Sequence, residues 1–156
     1  MDAYLVVKTL HILSAAVLFG TGLGIASFMF LGHRDGQPAA RAFAARTTVK
    51  ADFFFTLPAV IVQPLTGVLL VAKGGFAWTE AWLVLSYGLY LFAGLCWIPV
   101  VVMQMRMKTM LEAAEQGLPF DREAYGRLYR RWFALGWPAF LSVIAMFWLM
   151  VAKPQW

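Results

Sequence analysis

Four apolar blocks, each long enough to cross a bilayer, constrain this chain more than any other feature in it. They cover about residues 4–31, 50–71, 81–105 and 132–152. Crossing the hydrocarbon as a helix takes about 20 apolar residues. In lipid only a helix or a closed barrel satisfies its own backbone. The sequence therefore predicts an all-α integral membrane four-helix bundle, a single transmembrane domain over residues 1–156 with little chain outside the lipid bilayer. Charged residues make up 13% of the chain, against about 25% in an ordinary soluble domain. The net charge of +5 could point to nucleic acid. The basic residues lie between the apolar blocks, however, where membrane topology accounts for them, and no nucleic-acid partner is expected.

The same basic residues predict an orientation. Arg34, Arg41, Arg46 and Lys50 fall in the first connection, and Arg106, Lys108, Arg122, Arg127, Arg130 and Arg131 in the third. Only Lys73 lies in the second connection and Lys153 in the C-terminal tail. The positive-inside rule then places connections one and three in the cytoplasm and both the N-terminus and the C-terminus outside. Trp78, Trp82, Trp148 and Trp156 fit an outer aromatic belt and Trp132 an inner one. The start, Met1-Asp2-Ala3-Tyr4, carries no basic residue and the apolar run after it is long, so the first block reads as a true span and not a cleaved signal.

Within the spans, polar and small residues recur at helical spacing, and each span acquires one such stripe. Span one has Lys8, His11, Ala15, Leu18 and Gly22; span two has Asp52, Thr56, Ala59, Gln63 and Thr66. Span three has Ser86, Tyr90, Ala93, Trp97 and Gln104, and span four Gly136, Ala139, Val143, Met146 and Met150. The stripes are expected to meet inside the bundle. Gly20 and Gly24 form a small-xxx-small pair suited to close helix packing. Pro58, Pro64, Pro99 and Pro138 interrupt the backbone ladders, and the freed carbonyls need partners or a cavity.

Ionisable groups within spans are costly and usually functional. Lys8 and His11 stand three residues apart on one face. His11 lies about 10 Å from the outer end of its span by helical rise, level with Thr66 and Gly67 of span two and near Tyr87, Tyr90 and Met146. Imidazole suits an axial haem ligand or a proton carrier; the alternative is a neutral histidine bonded to a neighbouring helix. Lys8 could pair with a propionate or substrate carboxylate, or snorkel to the surface. Met146 is a possible opposite ligand, since Met/His ligation of haem exists, and otherwise fills the core. Asp52, at the inner end, is expected to pair with Lys50, Arg46 or Arg106. His33 reads as a solvated loop residue, about 33 Å along a helix from His11. The lone Cys96 allows no internal disulfide and no CxxC site, and reads as packing. Hydrolase triads, phosphate-binding glycine loops and HExxH are absent.

Two resemblances attach to these residues. Tyr4-Leu5-Val6-Val7-Lys8-Thr9-Leu10-His11-Ile12 resembles the opening of HemJ-type protoporphyrinogen oxidases, and Val151-Ala152-Lys153-Pro154 the end of their last span. That resemblance implies haem b, with His11 as ligand to the haem iron and Lys8 as a functional partner. In place of that family's Trp-Leu-His-x-Lys in span three, this chain has Trp82-Leu83-Val84-Leu85-Ser86. Over most of its length the chain also resembles a bacterial family of predicted integral membrane proteins. The blocks that carry this are Thr21-Gly22-Leu23-Gly24, Gln63-Pro64-Leu65-Thr66-Gly67 and Trp132-Phe133-Ala134-Leu135-Gly136-Trp137-Pro138. It implies a multi-pass protein of the bacterial cell inner membrane.

The function expected from these features is a haem-b membrane protein with a redox or electron-transfer role related to haem metabolism, a possible membrane oxidoreductase. Its site would comprise His11, Lys8, Met146 and Tyr90, and its small-molecule partner would be porphyrin- or quinone-like. The alternatives are a small transporter or channel module, acting as a homo-oligomer, and an assembly subunit of a larger membrane complex.

Overall fold

The computed structural model describes residues 2–154; Trp156 of the expected outer belt lies outside them. Its elements are α1 (Ala3–Asp35), α2 (Pro38–Ala51), a π-helical turn (Asp52–Thr56), α3 (Leu57–Gly74), α4 (Ala81–Glu115) and α5 (Arg122–Ala152). The π-turn joins α2 and α3 into one continuous helix, Pro38–Gly74. Among the described residues there are thus four helices long and apolar enough to cross a membrane, of 33, 37, 35 and 31 residues. No strand occurs among the described residues.

The helices outrun the apolar blocks. At 1.5 Å per residue they reach roughly 45–55 Å, against about 30 Å of hydrocarbon. The excess lies at the end that carries the first and third connections. The first connection, expected over residues 32–50, shrinks to Gly36 and Gln37. Gly36 takes a left-handed φ of 83° as the C-cap of α1, and Pro38 starts α2 at once. The segment Pro38–Ala51 is rich in alanine with interspersed arginine, and both are strong helix formers, so the basic residues sit on helix and not on loop. At the third connection Gly117, at φ 80°, ends α4 where the sequence signalled a stop. The Asp121 carboxylate then caps α5, accepting the Glu123 and Ala124 amides at 3.0 and 2.9 Å.

Packing divides between the two ends. α4 lies along α5, α2 against α4, and α1 against both α2 and α3. A slighter contact closes α1 on α5 through the Phe19 ring, 5.1 Å from that of Phe140. The larger core, with Met29, Ala42, Ala45, Met107, Leu111, Tyr125 and Trp132, sits at the overhanging end. Its tightest point is Gly32, where an added Cβ would stand 2.7 Å from the Ala44 Cβ. His33, expected in a loop, ends α1 instead, with its ring stacked 3.8 Å from that of Tyr129. The end bearing the termini has a smaller core of Val71, Trp82, Leu83 and Leu149, with Lys153 lying over the Phe76 ring at 4.3 Å.

The expected stripes turn inward in spans two and three, but Lys8 of span one and Met150 of span four are exposed, and within its apolar stretch span four buries Ser142 and Leu149 instead. Asp52, Thr56, Ala59 and Thr66 are buried, as are Ser86 and Gln104, while leucines, valines and phenylalanines cover the outside. The Gly20/Gly24 pair departs from expectation. An added Cβ at either would meet nothing within 4 Å. The pair lines an open groove of about 390 Å³ beside Thr47, Thr48 and Phe55.

Candidate functional site

His11 sits where α1 meets α3, one helical turn above Ser14. Gly67 faces the ring, and a Cβ there would lie 3.4 Å from the imidazole Cε1. Both ring nitrogens are bonded. Nδ1 lies 2.8 Å from the Thr66 hydroxyl and Nε2 3.1 Å from the Gln63 amide nitrogen. The Ser14 hydroxyl donates to Gln63 Oε1, which turns the amide nitrogen towards the ring. An amide nitrogen only donates, so Nε2 accepts, and the proton of the neutral imidazole resides on Nδ1. The Thr66 hydroxyl receives that proton and passes its own to the Val62 carbonyl at 2.7 Å. The result is a directed chain, Ser14 to Gln63 to His11 to Thr66 to Val62.

The depth match of His11 with Thr66 and Gly67 is as the helical rise predicts. Gln63 was legible as a stripe residue, but its role as partner of His11 was not. Ser14 was missed, because a lone serine in an apolar helix usually bonds its own backbone. The other expected site residues stand apart. Lys8 is exposed and forms no ion pair among the described residues. Tyr90 points its phenol at α3 and donates to the Val60 carbonyl. Pro64 explains that bond: Val60 is the i−4 acceptor whose donor a proline at 64 lacks. Met146 is half-buried on α5. No hydrogen bond joins Lys8, Tyr90 or Met146 to the His11 group among the described residues.

A second polar group lies towards the overhanging end, around Asp52 in the π-turn. The expected ion pair does not form. Arg46 reaches across to Glu115 of α4 at 2.6 Å instead, and Lys50 is exposed. Helix α2 runs on without a loop, so residues 46 and 50 face other directions from residue 52. Asp52 is 4% exposed and accepts one long bond at 3.4 Å from the Trp97 indole. The Thr56 hydroxyl and the Gln104 amide are its other polar neighbours. No group of three or more His, Cys, Asp or Glu side chains with metal-ligand spacing occurs among the described residues.

Comparison with known proteins bears on the whole chain. A family model described as a predicted integral membrane protein (DUF2269) matches residues 5–154. No curated protein matches, and no solved structure does.

Proposed function

From a chain that belongs to the DUF2269 family of integral membrane proteins, and from the geometry of its His11 group, we propose a haem-b membrane protein with a redox or electron-transfer role, liganded through His11. The observation that carries this is the tautomer. A metal-ligating histidine commonly donates one ring N–H to an acceptor that fixes its orientation, leaving the other nitrogen for the metal. Thr66 supplies that acceptor at Nδ1. The nitrogen left over, Nε2, is held by a single side-chain amide, which a rotation of Gln63 releases.

One imidazole nitrogen, Nε2, would be the donor available to the iron. His11 would hold the iron, and Lys8, one turn away and unpaired among the described residues, would meet a propionate carboxylate. Met146 and Tyr90 would be candidates for a second ligand on sequence alone. When bound, haem supplies one-electron chemistry; the protein's part is to orient the imidazole through Thr66 and to exclude water. The reading extends to a porphyrin- or quinone-like partner and to the cytoplasmic membrane of a bacterium, with both termini outside as the basic residues dictate.

The test is an absorption spectrum of purified protein after haem supplementation. A Soret band that His11→Ala abolishes and Gln63→Ala strengthens is the expected result. Absence of the band, or a band unchanged in His11→Ala, defeats the proposal. A second reading, a small oligomeric transporter or channel module, draws on the π-turn, since broken helices commonly flank transport sites. Solute flux in proteoliposomes tests it.

A further inference from the structure

The Asp52 group differs from the His11 group in what it lacks, and it gathers most of the unpartnered buried oxygens among the described residues. Asp52 Oδ2, Thr56 Oγ1, Gln104 Oε1 and Thr48 Oγ1 are all buried and have no hydrogen-bond partner. Their residues are 4%, 7%, 2% and 1% exposed. Buried polar atoms are almost always paired, and each that is not costs roughly 1–3 kcal/mol. Four on adjoining turns of two helices are not a scatter of defects.

The hydroxyls make the contrast sharpest. A helical Ser or Thr ordinarily returns its proton to the carbonyl four residues back. Thr9, Thr66, Ser86, Thr109 and Ser142 of this chain all do so. Thr56 does not, because the π-turn gives the Asp52 carbonyl to the Leu57 amide instead. Pro58 has no N–H to contribute to the same turn, which frees a further carbonyl there. The local break in the helix therefore gathers several oxygens at one spot, beside the Trp97 indole that bonds Asp52 Oδ1.

Charge completes the argument. The group contains one carboxylate, and no Lys or Arg lies within 4.0 Å of it among the described residues. A lone buried carboxylate costs several kcal/mol unless a cation meets it. Carboxylate, hydroxyl, side-chain amide and backbone carbonyl are the ligands hard cations prefer, and unwound helix segments supply such oxygens to sodium in membrane transporters. A single negative charge matches a single positive one.

We propose that Asp52, Thr56 and Gln104, with Thr48 at the edge, form an intramembrane sodium site at the π-turn. The site is independent of the His11 group and of whatever His11 binds. Sodium there neutralises the carboxylate and ties the Pro38–Gly74 helix to α4 through Gln104.

The experiment is thermal unfolding of the detergent-purified full chain in sodium chloride against N-methylglucamine chloride, at constant ionic strength. A saturable rise in Tm of several degrees with sodium is expected. Asp52→Asn removes the sodium dependence, Thr56→Val weakens it at least tenfold in midpoint concentration, and Thr56→Ser keeps it. A wild-type Tm indifferent to sodium overturns the proposal, whatever the variants do. So does a rise given equally by any monovalent metal salt, or one that survives in Asp52→Asn.

Discussion

The two polar groups inside this bundle solve the same problem in opposite ways. Both place titratable side chains in apolar helices, and both sit against the Pro38–Gly74 helix. Around His11 the helix stays α-helical, Thr66 bonds its own backbone, and both ring nitrogens are bonded. Around Asp52 the helix widens into a π-turn and four buried oxygens go without partners. The difference teaches that a polar stripe, by itself, does not say whether its residues are structural glue or a prepared site. The hydrogen-bond inventory separates the two: both His11 ring nitrogens are bonded, whereas four buried oxygens around Asp52 are not.

Substitutions that delete one partner at a time break or sharpen that contrast. The largest effect is expected from Gln63→Leu. It removes two side-chain hydrogen bonds and strands His11 Nε2, while the Ser14 hydroxyl keeps the His11 carbonyl, and Tm in sodium-free detergent should fall by the equivalent of about 2–3 kcal/mol. Thr66→Val follows. It keeps the shape and removes the acceptor for His11 Nδ1–H, so a loss on the order of 1–2 kcal/mol is expected. Its counterpart, Thr56→Val, deletes a hydroxyl that bonds nothing. In sodium-free buffer that variant should equal or exceed the wild type, and a loss as large as that of Thr66→Val would erase the distinction between the groups. Tyr90→Phe should cost about 1 kcal/mol by leaving the Val60 carbonyl without a donor. The smallest effect belongs to Gly67→Ala. Its methyl group would rest at ordinary contact distance from the His11 ring, and the gain in helix propensity offsets the crowding. A Tm within about 2 °C of wild type is expected, while Gly67→Leu should displace the ring.

Much of the frame was legible because it rests on local properties. Block length gave the spans, and the 3.6-residue period put Asp52, Thr56, Ala59 and Thr66 on one inward face. Helical rise set His11 level with Thr66. The connections were misread for an equally local reason. Arginine signals a boundary in lipid but is also a good helix former, and only the packing of Ala42, Ala44 and Ala45 against α1 and α4 shows which role prevails. The pairing of Arg46 with Glu115 and not Asp52 follows from that helical continuation.

What the sequence determined alone was an all-helical chain of four apolar segments with polar stripes. Hydropathy and periodicity belong to single helices and need no neighbour. What the tertiary structure decided was which stripe residues meet. His11 found Gln63 and Thr66 because α1 and α3 pack with those residues at one depth, and Asp52 Oδ2 was left unpaired beside a Thr56 hydroxyl whose usual acceptor the π-turn gives to Leu57. Hydrogen bonds between helices depend on relative rotation and depth to within an ångström or so, and no pattern along one strand of sequence carries that information.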